Sequence, residues 1–311
     1  MQAAADFETA LQSYRAGDAA RALRLAKAAA LAGSTDAAVL AGHILRAGEA
    51  GEPDLPLARQ YYQKAAVRGH PDALVALGEM GLKGQAGLTD SDAQIYLTRA
   101  SDAGRVDATR ALAEMARTGR GMERSVEAER ELLNKASASF DAEATKRLAD
   151  TYYESNAAKA LSLYKEAARA GHAEAAYAAG VMYATNWNIR PDEEKSAHWL
   201  GVAARAGHAA AQADYGLLVY QGAGGLEPSE AEAAEWFRKS AQGGDSEGMF
   251  LYAFTLAKGE GVAQDFGEAY YWLLKSGSST VDDYQQDRAV LRERLEANVD
   301  PDVLAAARAR L

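Results

Sequence analysis

The chain has 311 residues, enough for two ordinary domains or one long array. Its 34 basic and 44 acidic side chains leave a formal net charge of −10, so its bulk field repels nucleic acid and anionic lipid. It has no cysteine, which excludes disulfides, thiol nucleophiles and cysteine-ligated metals, and no apolar run long enough for a transmembrane helix.

The N-terminus, MQAAADFETA, shows neither the basic region nor the apolar region of a signal peptide and enters a helical pattern at once. Two expectations follow from it: a cytoplasmic protein, or an exported one whose signal has been removed. Residues 5–33 predict an opening helix pair that turns at Gly17-Asp18. Leu11 and Tyr14 point inward from its first helix, and Ala22, Leu25 and Ala29 from its second.

The next stretch, residues 57–90, is the clearest copy of a repeat. Ala58, Tyr61, Ala65 and Ala66 share one face of a helix, called B. Gly69 ends it, and Pro71-Asp72 suit the first turn of the following helix, called A. Helix A turns Ala73, Leu77 and Gly78 inward, Gly84 and Gly87 close it, and Asp90 opens the next B helix.

The glycine after helix B recurs at Gly33, Gly69, Gly104, Gly171, Gly207 and Gly244, at intervals of 36, 35, 67, 36 and 37. The long interval hides a degenerate unit with Phe140 in the glycine position and a short loop at ESNAAK, after Tyr153. Further B helices centre near Tyr61, Tyr96, Leu132, Leu163, Trp199, Trp236 and Trp272. The A helices begin near Ala37, Ala73, Ala108, Ala144, Ala175, Ala211 and Gly248. The period stops after Gly277. Residues 281–297 and 303–311 then read as helices with a polar face around Pro301, a cap for the end of a stack. The expected fold is all-α: an α-solenoid of about eight two-helix repeats over 1–277, capped by 278–311.

These units resemble Sel-one-like repeats, relatives of the tetratricopeptide repeat with a longer loop inside each repeat. The resemblance rests on GMFLYAFTLAKGEGVAQDFGEAYYWLLKS at 248–276, AAEWFRKSAQGG at 233–244 and KEAARAGHAEA at 165–175. It covers roughly residues 5–277; Asn186, Asn188, Phe140 and the short fourth loop depart from it. The resemblance implies a right-handed superhelix that binds proteins or peptides. It also implies a place in the bacterial envelope, in signalling or exopolysaccharide export, which favours a periplasmic location over the cytoplasmic alternative.

Catalytic motifs are missing: there is no G-x-S-x-G, no phosphate loop and no H-E-x-x-H, so no enzyme is expected. Glu193-Glu194 and Asp282-Asp283 read as solvated charge. His70, His172 and His208 share the position after the turn glycine and read as turn residues. His43 and His198 complete no metal-ligand set, so neither metal nor cofactor is expected. Trp199, Trp236 and Trp272 share a register that predicts core, whereas Trp187 stands off register in a loop, as an anchor or an exposed contact.

In tetratricopeptide arrays helix A lines the groove. By that analogy the groove takes Arg110, Glu114, Arg117, Lys146, Asp150 and Tyr153 in one half. The other half takes Tyr177, Val181, Ala184, Ala213, Leu217, Tyr220, Phe250, Phe254 and Ala257. A non-enzymatic scaffold is expected. Tyr177, Tyr220, Phe250 and Phe254 would anchor a peptide, and Arg110, Arg117 and Lys146 would orient an acidic stretch. The alternative is a glycan- or peptidoglycan-binding accessory protein stacking sugars on Trp187 and the groove aromatics. A third outcome is that this lining merely packs against the cap.

Overall fold

The computed structural model describes residues 2–185, 188–277 and 284–311, with side chains from Asp6 onward. Eighteen α-helices and one short 3-10 turn account for the regular structure among them, with no strand. The chain forms two compact units, 1–144 and 145–311, dividing within one helix. Each unit is a run of α-solenoid: successive helices pack as antiparallel hairpins, and each hairpin packs on the next.

The first unit holds α1 (Gln2–Arg15), α2 (Ala19–Leu31), α3 (Thr35–Ala47), α4 (Leu55–Val67), α5 (Pro71–Leu82), α6 (Asp90–Asp102), α7 (Val106–Thr118) and α8 (Val126–Ser137). The division falls in α9 (Ala142–Tyr152). The second unit continues with α10 (Ala157–Arg169), α11 (Ala173–Thr185), α12 (Glu193–Arg205), α13 (Ala209–Gln221), α14 (Glu230–Gln242), α15 (Ser246–Lys258) and α16 (Phe266–Lys275). The cap is α17 (Gln285–Asn298) and α18 (Pro301–Arg308).

Short polar residues stop and start these helices. Asp54 accepts the Leu57 N–H at 2.9 Å and Asp265 the Glu268 N–H at 2.9 Å, each satisfying a donor that helix geometry leaves unpaired. Helix α6 opens at Asp90, as expected. Thr89 caps it, and Thr89 and Asp92 close a reciprocal box. The last helix begins at Pro301 rather than Val303, with Asp300 as cap and proline in the first turn, where its missing N–H costs nothing.

Alanine and glycine let helices A and B approach closely. A side chain on Gly216 of α13 would meet the Phe237 ring at 2.7 Å. In the loop at 259–261, Gly261 takes φ +72°, and a Cβ there would lie 2.2 Å from the Glu230 carbonyl oxygen. The Gly-x-Gly pattern therefore reports a backbone-to-backbone contact between this loop and the first turn of the preceding B helix, α14.

The three turn histidines occupy the helix-entry positions expected of them. His172 Nδ1 accepts the Ala175 N–H and His208 Nδ1 the Ala211 N–H, each at 3.2 Å. His70 makes no such cap bond and instead meets Asp36 at 3.0 Å. Trp199 and Trp272 are buried core residues. Trp236 is half-buried and donates to Glu232 at 3.2 Å.

Phe140 holds the turn-glycine position with φ +61°, and its side chain is 95% exposed. An L-residue there costs roughly 1–2 kcal/mol of backbone strain, and an exposed ring recovers little of it. Phe140→Gly should stabilise the first unit by about 1 kcal/mol after the unfolded-state entropy of glycine is subtracted. A circular-dichroism melt of the variant should move up by about 3 °C, and a downward move would disprove the strain.

Candidate functional site

The inner face of the A helices is the face on which partner contacts are expected. Its first-unit members sit on α7. Arg117 bonds to Glu114 one turn away, and the Arg110 Nε lies 3.6 Å from an Asp141 carboxylate oxygen. In the second unit, Lys146 Nζ sits 2.6 Å from Glu174 and 3.3 Å from Asp150. Asp150 also accepts the Tyr164 hydroxyl at 2.8 Å, and Tyr153 is exposed. The three cations expected to orient an acidic partner are each paired with carboxylates of their own chain. The i,i+3 spacing of Glu114 and Arg117 already carries the signal.

The aromatic half of the expected lining comes together in the second unit. Tyr177 on α11 stacks on His208, with ring centroids 4.5 Å apart. Its hydroxyl donates to Asp214 on α13. Tyr177 and Asp214 border a cavity of about 390 Å³ among α11, α12 and α13, with Val181, Ala184, Leu200, Leu217 and Leu218 among its walls. Burial pushes the Asp214 carboxyl up to about 6; the Tyr177 hydroxyl opposes that rise, and the Asp245 charge adds to it. Burial also lowers His208 below its ordinary value.

A second cavity of about 270 Å³ lies between α13, α15 and the start of α17, lined by Leu217, Tyr220, Phe250, Phe254, Glu260, Tyr284 and Asp287 among others. Leu217 borders both cavities. Phe254 is half-buried beneath the Lys258 ammonium, 4.3 Å from its ring centroid. Tyr220 donates to Glu260 at 3.0 Å.

Phe250 is placed differently from expectation. It is 3% exposed, with Tyr284 packed 5.1 Å from its ring and the Arg288 guanidinium 5.3 Å away. Arg288 is itself buried and donates to Ser246 O at 2.9 Å and Ser276 Oγ at 3.1 Å. The cap therefore covers Phe250, which forms the floor of the cavity instead of a surface anchor. Ala213 is likewise buried. Trp187 and the Asp282-Asp283 pair lie outside the described residues.

Sequence reasoning misses Asp214, Glu260, Tyr284 and Asp287. Asp214 is detectable in principle. Leu40, Ala76, Ala111, Ala178 and Leu251 hold the equivalent place in five of the six other A helices and Arg147 holds it in α9, so Asp214 is the one carboxylate in a mostly apolar register. The cap residues have no repeat register to reveal them.

The Sel1 repeat family pattern matches residues 35–70, 71–104, 143–172, 173–208, 209–245 and 246–279. The gap between its second and third matches contains Phe140. A Sel1 repeat protein from Oxalobacter formigenes is similar in structure, with a TM-score of 0.74 and 25% identity over 86% of this chain and 80% of that one. The protective antigen c5321 of uropathogenic Escherichia coli, which displays an SLR fold, aligns with a TM-score of 0.48 and 21% identity over 99% of this chain and 82% of that one. None of the curated proteins matches. Sel1 repeats are scaffolds of protein–protein interaction. More than half of the chain is made of such repeats, and it belongs to the Sel1 repeat family.

Proposed function

We propose that the protein is a non-catalytic scaffold of the bacterial periplasm whose second unit holds a segment of a partner protein on the inner face of α13 and α15. The observation that carries this reading is the cavity at Leu217, Tyr220 and Phe254: apolar walls over an aromatic floor, with Glu260 and Asp287 beside them. Such a cavity takes one aromatic or aliphatic side chain of a partner. The Tyr284 ring already packs on Phe250 at its edge. Glu260 is already paired with Lys258 at 3.0 Å, which leaves Asp287 as the rim carboxylate that favours a basic rather than an acidic segment.

The test is a peptide library panned against the protein, paired with a pull-down from periplasmic extract. Phe254→Ala and Leu217→Ala should each weaken the captured segment by about tenfold, a loss on the order of 1.4 kcal/mol, while helical content stays unchanged. Arg110→Ala and Arg117→Ala should change it by less than about twofold, since exposed paired charges contribute little. Unchanged affinity in the first two variants, or capture of peptidoglycan fragments in place of peptides, would overturn the proposal. Fractionation of cells making the natural gene product checks the compartment.

A further inference from the structure

We infer that the cavity among α11, α12 and α13 is a receptor for one cationic head group, the guanidinium or ammonium of an arginine or lysine in the partner, with Asp214 as its counter-ion. The inference rests on the scaffold reading for its biological ligand, though the pocket can be probed by itself.

Three observations converge on it. Asp214 is a carboxylate on the wall of a cavity of about 390 Å³, whose Val181, Leu217 and Leu218 suit the methylene stem of a long basic side chain. Its hydrogen-bond partner is the Tyr177 hydroxyl, and no ion pair reaches it among the described residues. A carboxylate accepts at two oxygens, so one hydroxyl leaves acceptor capacity for an incoming N–H fork. Asp245 and Glu247 add negative field at Tyr177, a sign that suits a cation in the cavity.

The register adds a reason of a different kind. Of the six other A helices, five carry leucine or alanine at this place and α9 carries Arg147, so none of them needs a carboxylate there to fold. A partly buried, uncompensated charge destabilises the empty protein, and a cation that enters reverses that penalty. The pocket adjoins the apolar cavity across Leu217. A segment bearing an apolar side chain and a nearby arginine or lysine would fill both.

The experiment uses the full chain, titrated with n-butylguanidinium, n-butylammonium and uncharged n-butylurea at neutral pH, and followed by NMR shifts of α13 amides. Both cations should bind at Asp214, and butylurea at least tenfold more weakly. Asp214→Asn, which keeps shape and the Tyr177 contact, should weaken the cations by tenfold or more. Asp214→Leu, which places there the residue type α15 carries, should do the same. Equal binding of butylurea, equal binding by the folded variants, or no shift in α13 would overturn the inference. The two readings fail separately. Peptide capture that depends on Phe254 but ignores Asp214 refutes this pocket. Butylguanidinium binding with no peptide captured refutes the scaffold reading and supports the pocket.

Discussion

Phe250→Ala is expected to destabilise the second unit by about 3–5 kcal/mol, the range for removing a buried phenylalanine ring. The ring is 3% exposed and touches Phe254, Tyr284 and the Arg288 guanidinium. Its removal leaves a cavity under the cap and takes the packing surface from Tyr284. The bonds from Arg288 to Ser246 and Ser276 then hold the cap with less apolar support. All four tryptophans lie in the second unit, so their fluorescence reports its unfolding. The midpoint should fall by on the order of 10 °C. The half-buried Phe254, cut to alanine, should cost only about 1 kcal/mol. A Phe250→Ala midpoint close to that of the parent would refute the packing of the cap. The comparison also explains why Phe250 cannot report on binding: its loss would disturb the fold first.

Asp214→Asn should do the opposite and stabilise the protein at neutral pH. The carboxyl ordinarily titrates at 3.8 and is pushed up to about 6 in the fold. Below about 4 the group is protonated whether the chain is folded or not, and pH has no leverage through it. Between about 4 and 6 the folded state holds the proton more tightly, so stability falls as pH rises. Above about 6 the whole penalty is present. The side chain keeps some contact with water, which brings that penalty to about 1–2 kcal/mol. The substituted amide would carry none of it while still accepting the Tyr177 hydroxyl. Tryptophan-monitored melts on either side of the carboxyl's titration, at about pH 4.5 and about pH 7.5, check this. The variant should gain about 4 °C at the higher pH and much less at the lower, and saturating n-butylguanidinium should narrow the gap at the higher pH. A variant less stable than the parent at neutral pH would show that the charge helps the fold.

The differences from expectation lie where side chains from separate helices meet. Lys146, read as a groove cation, reaches Glu174 on the next A helix, a pairing the repeat position does not reveal. The same reasoning makes Phe250 an anchor, and register says nothing of a helix that arrives from outside the repeat. Asp214 escapes notice because a lone acid in an alanine-rich helix looks solvated until the walls around it are known.

The spacing of small residues and turn glycines determined the helices, their order and the stack by themselves, because each repeat specifies its own hairpin through local periodicity and short-range contacts. Even the degenerate unit at Phe140 is readable as a break in that period. Only the tertiary structure decided which inner-wall residues remain open. That depends on how α17 lies over α15 and how α11 faces α13, contacts between residues far apart in sequence that no repeat register encodes.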